Sequence, residues 1–143
     1  MAIAEGAPLY LDASAVTKLI APEPESTELL ASLAGRALVS SELVVAEVPR
    51  AVRRIAADGR LRDLGAALEQ LEALLGGLAL VPIGREVLTL AGAFASPVVR
   101  ALDAIHVASS LLLDDLGLFI SYDARQLRAA AEAGLAIASP GRS

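Results

Sequence analysis

Pro8-Leu9-Tyr10-Leu11-Asp12-Ala13-Ser14 is the stretch that decides the fold. Its three consecutive apolar residues read as a short buried strand, and Asp12 follows just where the chain leaves the sheet. Near the other end of the chain Leu118-Phe119-Ile120-Ser121-Tyr122-Asp123 repeats the arrangement. Open parallel sheets carry their active sites outside the carboxyl ends of their strands, so Asp12 and Asp123 are candidate functional carboxylates.

Working outward, strands and helices alternate. Residues 13–20 read as a helix that must stop before Pro22 and Pro24, and residues 25–33 as a second one closing at Gly35. Residues 37–40 form a short strand, and Ser41 is a plausible N-cap for a helix running to about residue 57, ahead of Asp58-Gly59. Pro49 removes a hydrogen bond inside that helix and predicts a kink within a turn of Glu47. Residues 60–75 carry leucines at helical spacing up to Gly76-Gly77, residues 78–83 form the third strand, and residues 86–95 a helix. Ser96-Pro97 marks the start of a helix bearing Asp103. After the strand at residues 118–121, a helix over 124–133, Gly134 and a last strand over 135–138 complete the pattern. Five short strands separated by helices imply an α/β domain, a parallel sheet with helices on both faces. The 143 residues fit one domain, and 55% hydrophobic residues allow a substantial core.

Glu47 and Asp103 lie within apolar, helix-like segments, residues 43–55 and 99–113. An uncompensated buried charge costs several kcal/mol, so these carboxylates call for a partner, and a cation is the simplest.

Composition narrows the classes. Cysteine is absent, which excludes disulfides and thiolate metal sites. Residues 1–5 show no basic segment leading into a long apolar stretch, and no apolar run reaches the roughly 18 residues of a membrane helix; a cytoplasmic protein is expected. The net charge of −5 argues against nucleic acid as a partner, but the distribution of charge matters more. Eleven of the twelve basic residues are arginines, and Arg50, Arg53, Arg54, Arg60 and Arg62 crowd just beyond Glu47. They read either as a solvated helix face or as a phosphate-binding surface. Aromatic residues make up only 3%, so a bound nucleic acid would be held by its backbone rather than by stacked bases.

Tyr10-Leu11-Asp12-Ala13-Ser14, Val44-Val45-Ala46-Glu47-Val48, Leu102-Asp103-Ala104-Ile105-His106-Val107-Ala108 and Ser121-Tyr122-Asp123 together resemble the four acidic motifs of PIN-domain ribonucleases. Their order and their spread over almost the whole chain are similar to the VapC-type toxins of bacterial toxin–antitoxin pairs. The resemblance implies a PIN-like fold, metal-dependent RNA hydrolysis, a small VapB-like antitoxin that docks over the acidic site, and a homodimer. It further implies that Asp12, Glu47, Asp103 and Asp123 bind or orient Mg²⁺ or Mn²⁺, with Asp12 and Asp103 as direct ligands. The residue chemistry agrees, because hard divalent cations prefer carboxylate and water oxygens, and crowded carboxylates repel one another until a cation relieves them.

Ser14 and Ser121 match small hydroxyl positions of the family and read either as holders of a water or phosphate oxygen or as capping and strand-end hydrogen-bonders. His106, one helical turn from Asp103, reads as a structural hydrogen-bonder in preference to a general base. Asp114 and Asp115 read as solvated, and Glu42 as a charge favouring a helix dipole. Two other classes share some features. A receiver-like or haloacid-dehalogenase-like phosphoryl-transfer domain also places Asp at strand ends, but the first needs a late lysine where only Lys18 exists, and the second a further Asp where Ser14 stands. A non-catalytic PIN-fold binding module is the other, and it has no use for burying four acids.

Overall fold

A computed structural model describes residues 6–142; the N-terminal residues read above for targeting lie outside the described part. The chain runs β1 (Leu9–Leu11), α1 (Ala13–Ile20), α2 (Ser26–Leu33), β2 (Leu38–Ser41), α3 (Val44–Ala57), α4 (Leu64–Gly76) and β3 (Ala79–Val81). It continues through α5 (Arg85–Gly92), α6 (Ala101–Leu111), β4 (Leu118–Ile120), α7 (Ala124–Glu132) and β5 (Ile137–Ala138). The five strands form one sheet in the order β3-β2-β1-β4-β5, with every pairing parallel.

Alternation along β1 sends its neighbours to opposite faces of the sheet. Leu9 and Leu11 pack with Val16, Leu29, Val48, Val52 and Leu71, a core contributed by α1, α2, α3 and α4. Tyr10 points the other way, into a second core with Val107 of α6, Phe119 of β4 and Ala129 and Ala130 of α7. The chain builds outward from β1 to β3 and then returns to place β4 on the other side of β1. That reversal is the topological switch point, and the crevice outside the carboxyl ends of β1 and β4 is where such sheets bind ligands.

Several boundaries differ from the sequence reading. Ser41 lies in β2 rather than capping α3; its hydroxyl accepts the Leu43 amide at 3.1 Å and shapes the turn leading into the helix. α4 begins at Leu64 because Asp63 accepts the Ala66 amide at 3.0 Å and caps it, which leaves Arg60 and Arg62 in the connection. α6 begins at Ala101, several residues beyond Ser96-Pro97. α3 itself runs through Pro49 to Ala57, the extent read from the sequence. The buried Val48 and Val52 fasten it to the core around the proline, and tertiary packing of this kind outweighs one lost backbone hydrogen bond. Gly59, with φ +78°, makes the turn out of α3.

No helix among the described residues is long and apolar enough to cross a membrane.

Candidate metal and nucleic-acid site

All four acids sit at the N-terminal turns of helices. Asp12 caps α1, its Oδ1 accepting the Ala15 amide at 3.0 Å, and Asp123 caps α7 through the Arg125 and Gln126 amides at 2.9 and 3.3 Å. Glu47 and Asp103 lie in the first turns of α3 and α6. The positive end of each helix dipole favours a negative charge there.

Asp12 is the fully buried member, 2% exposed, and it is held from three directions. Ser14 donates to Oδ1 at 2.6 Å and Ser121 donates to Oδ2 at 2.5 Å. Each hydroxyl in turn accepts a backbone amide of the β4–α7 connection, Tyr122 N–H at 2.8 Å on Ser14 and Asp123 N–H at 3.0 Å on Ser121. A serine has one proton to give. With both protons committed to Asp12, neither serine can donate to a phosphate without releasing the carboxylate, so they lock Asp12 and bind together the two strand ends. Burial pushes the Asp12 pKa up, while the Ser121 and Ser14 hydroxyls, His106 whenever its ring is protonated, and the Ala15 amide draw it back.

Glu47 and Asp103 are only partly buried, and the cost of buried charge therefore falls on Asp12 rather than on these two. Burial raises the Asp103 pKa and the nearby charge of Asp123 raises it further, which places those two carboxylates in each other's field. Glu47 Oε1 lies 2.7 Å from His106 Nε2, and His106 Nδ1 lies 2.7 Å from the Tyr10 hydroxyl. Both ring nitrogens are occupied and the ring is 2% exposed, so His106 is a structural hydrogen-bonder, as its solitary place on a helix predicts.

Among the described residues none of Asp12, Asp103 and Asp123 forms an ion pair with a basic side chain. Nor do three acidic or histidine side chains converge closely enough, as they stand, to enclose one ion. Mg²⁺ is commonly held by one or two carboxylates plus waters, so an all-oxygen donor set of this kind fits a hard divalent cation without a full protein cage.

Beside the acids opens a cleft of about 750 Å³. Ser14 and Glu47 line it, and its walls carry Arg50, Arg54, Arg60 and Arg142. Glu47, Arg50 and Arg54 share one face of α3 at spacings of three and four residues. Neither Arg53 nor Arg62 is on the lining, so the structure divides the arginine cluster that the sequence presents as one. Arg142 is a contributor that sequence reading missed. Its guanidinium stands 5.2 Å from the Tyr122 ring centre and donates to the Tyr122 carbonyl at 2.8 Å, while the Tyr122 hydroxyl donates to the Pro140 carbonyl at 2.7 Å. Burial and the charge of Glu25 push the Tyr122 pKa up to about 12, so the phenol stays a donor. No local signal marks Arg142, because the chain's fold-back onto Tyr122 brings it there. Lys18 is paired with Glu23 at 3.1 Å and Glu25 at 3.4 Å and is not engaged with the four acids, which removes the lysine a receiver-like site requires.

A parallel sheet with acids at its switch point beside an arginine-walled cleft makes this an α/β domain of the open parallel-sheet class, with its candidate site where such sheets bind ligands. The chain belongs to the PIN-domain family, whose model matches residues 9–132. Ribonuclease VapC46 of Mycobacterium tuberculosis (strain ATCC 25618 / H37Rv) is 39% identical over 137 residues, covering 94% of this chain and 98% of the relative. Ribonuclease VapC47 of Mycobacterium tuberculosis (strain CDC 1551 / Oshkosh) is 36% identical over 139 residues, covering 93% and 97%. Among solved structures, VapBC2 from Rickettsia felis, bound to a DNA fragment from its promoter, superposes with a TM-score of 0.66 at 12% identity over 92% of this chain and 98% of that one. PAE2754 from Pyrobaculum aerophilum gives 0.59 at 23% identity over 96% and 84%. At those identities the structural likeness speaks for the fold alone, and it agrees with the α/β, PIN-like architecture expected from the sequence.

Proposed function

We propose that this VapC-type chain is a divalent-metal-dependent endoribonuclease, the toxin of a toxin–antitoxin pair. The observation that carries the reading is the pairing of opposites: Asp12, Asp103 and Asp123, which form no ion pair among the described residues, at the sheet's switch point, next to a cleft walled by arginines. Asp12, Glu47, Asp103 and Asp123 would hold the cation, with Asp12 and Asp103 as direct ligands. A bound Mg²⁺ or Mn²⁺ supplies a more acidic water and charge neutralisation for phosphodiester hydrolysis.

The remaining work falls to the chain itself. Ser14 and Ser121 hold the Asp12 carboxylate in one orientation, and His106 does the same for Glu47. Arg50 and Arg54 hold substrate phosphates in the cleft, with Arg142 on the wall formed by the C-terminal fold-back. The antitoxin, a VapB-like protein, would cover the same cleft. An arginine of that partner suits an acidic edge because its guanidinium pairs bidentately with carboxylates. A homodimer is part of the proposal, and Leu88, Val98 and Leu102, each about half exposed, are apolar side chains available to it.

Incubation of the chain with RNA in the presence of Mg²⁺, Mn²⁺ or a chelator tests the reading. Cleavage with either cation and its loss on chelation are expected. Cleavage that persists in chelator, or no cleavage of any RNA with either ion, overturns it.

A further inference from the structure

Tyr10 is wholly buried in the central strand, and nothing in the mechanism above employs its hydroxyl. Its ring stacks on Phe119, its registered neighbour in β4, at 5.1 Å and 10°, and meets His106 edge-on at 5.9 Å and 79°. His106 belongs to α6, whose Val107 packs in the core on one side of the sheet, whereas Glu47 belongs to α3, whose Val48 packs in the core on the other. The chain of contacts from Tyr10 through His106 to Glu47 therefore crosses from one helical layer to the other.

The directions of its hydrogen bonds follow from the chemistry of each group. An ionised carboxylate only accepts, so the contact of 2.7 Å from Glu47 Oε1 requires a proton on His106 Nε2. A neutral imidazole then leaves Nδ1 as an acceptor in need of a donor, and the Tyr10 O–H is 2.7 Å away. The phenol keeps its proton: burial first, then the charge of Asp12, raise its pKa well above the ordinary value.

We propose that Tyr10 and His106 are positioning residues for Glu47: the Tyr10 hydroxyl fixes the His106 proton on Nε2, and Nε2–H holds Glu47 Oε1, so that Oε2 would be the oxygen left to hold a cation. This deepens the proposed function and rests on its reading of Glu47 as a metal-holding carboxylate. Such an anchor has a particular use here. Glu47 lies two residues before Pro49, which can donate no backbone hydrogen bond within α3, so its carboxylate gains from being fixed through the rigid central strand as well.

The rival arrangement is specific. A doubly protonated ring would donate from Nδ1 to the phenol oxygen, and the phenol O–H would donate its hydrogen bond to the neighbouring Ser109 or Ser40 hydroxyl. Those hydroxyls can accept, because they spend their own protons on the Ile105 and Leu11 carbonyls at 2.7 and 2.6 Å.

His106 is the chain's one histidine, so labelling histidine with ¹⁵N gives the spectrum of a single ring. In the metal-free protein at mildly alkaline pH, a protonated Nε2 and an unprotonated, hydrogen-bonded Nδ1 are expected. A proton on Nδ1, in the other tautomer or in an imidazolium, overturns the relay. In Tyr10→Phe, which keeps the ring stack, a mixture of tautomers and Mn²⁺ binding about tenfold weaker by calorimetry are expected, the lower end of what outer-shell partners contribute. His106→Gln, whose amide offers both a donor and an acceptor, should retain more Mn²⁺ affinity than His106→Ala. Unchanged tautomer and Mn²⁺ affinity in a folded Tyr10→Phe protein would also overturn the relay. Because the nitrogen spectrum is read without metal or RNA, a failure of the ribonuclease reading is distinguishable from a failure of this one.

Discussion

The two acids at strand ends and the two on helices reach the site by different routes. Asp12 and Asp123 are placed by the main chain: each caps the helix that follows its strand, and Ser14 and Ser121 lace the two connections together. Glu47 and Asp103 are placed by packing, on first turns of helices from opposite faces of the sheet, with Glu47 tethered through His106 and Asp103 repelled by Asp123. The strand-end half is rigid because structure and site use the same hydrogen bonds. The helix half is less bound up with the main chain: the Asp103 carboxylate can shift without unmaking a cap or a strand, and Glu47 is held only through a side chain, His106.

The largest effect should come from breaking the rigid half at its centre. Asp12→Asn keeps an oxygen for the Ala15 amide and a similar volume but removes the charge. RNA cleavage is expected to fall at least about 100-fold, roughly 3 kcal/mol of transition-state stabilisation, with the circular dichroism spectrum unchanged. Asp12→Ala should in addition lose stability, as it strips the cap and strands two hydroxyl donors, the buried one of Ser121 and the partly buried one of Ser14. Wild-type cleavage by a folded Asp12→Asn protein would remove Asp12 from the site.

Next comes the lacing itself. Ser14→Ala and Ser121→Ala each delete a hydrogen bond to a charged group, and about 1.5–3 kcal/mol apiece is expected in denaturant unfolding. The two hydroxyls share Asp12, so the double variant should lose less than the sum of the single losses. Strict additivity would mean that the serines act on Asp12 independently and that the lacing is not a unit.

This contrast also explains what the sequence discloses. Leu9 to Leu11 ending in Asp12, and Leu118 to Ile120 ending near Asp123, announce strand, edge and acid within a few residues, because local rules place those carboxylates. Asp63 and Ser41 show the limits of the same rules: the capping residue of α4 lay inside a stretch read as helix, and the serine read as a cap belongs to β2. Glu47 and Asp103 were legible as acids but not as helix-terminal ones. Their helices start where tertiary contacts allow, as α6 does at Ala101. The link from Tyr10 to Glu47 spans residues far apart in sequence, and no local pattern encodes it.

A smaller effect should divide the arginines. Arg50 and Arg54 line the cleft on the face of α3 that carries Glu47, whereas Arg53 does not. Arg50→Gln and Arg54→Gln should each lower the slope of log binding constant against log salt by about 0.7, the single-strand value per phosphate contact, and Arg53→Gln should leave it unchanged. Filter binding to an uncleaved RNA in chelator reads this without catalysis. Equal slopes for all three variants would return the whole helix face to solvent.

The smallest effect tests whether the helix half is strained when no cation is bound. The Asp103 pKa is raised above its ordinary value of 3.8, by burial and then by Asp123, so the folded state binds more protons than the unfolded chain between that value and the raised one. Unfolding free energy therefore falls as pH climbs through this window, and the penalty is fully present above the folded pKa. Asp103→Asn removes the titration. In chelator the variant should match the wild type's pH trend below the ordinary pKa and rise above it toward neutrality, by a few tenths of a kcal/mol because the group is partly solvated. Mn²⁺ should reverse the order by stabilising the wild type more than the variant, since binding to the folded state alone adds stability by mass action. Urea unfolding of both proteins across mildly acidic to neutral pH, with and without Mn²⁺, gives the difference curve. A flat difference in chelator would show that Asp103 and Asp123 do not strain each other, and the helix half would then be as settled as the strand-end half.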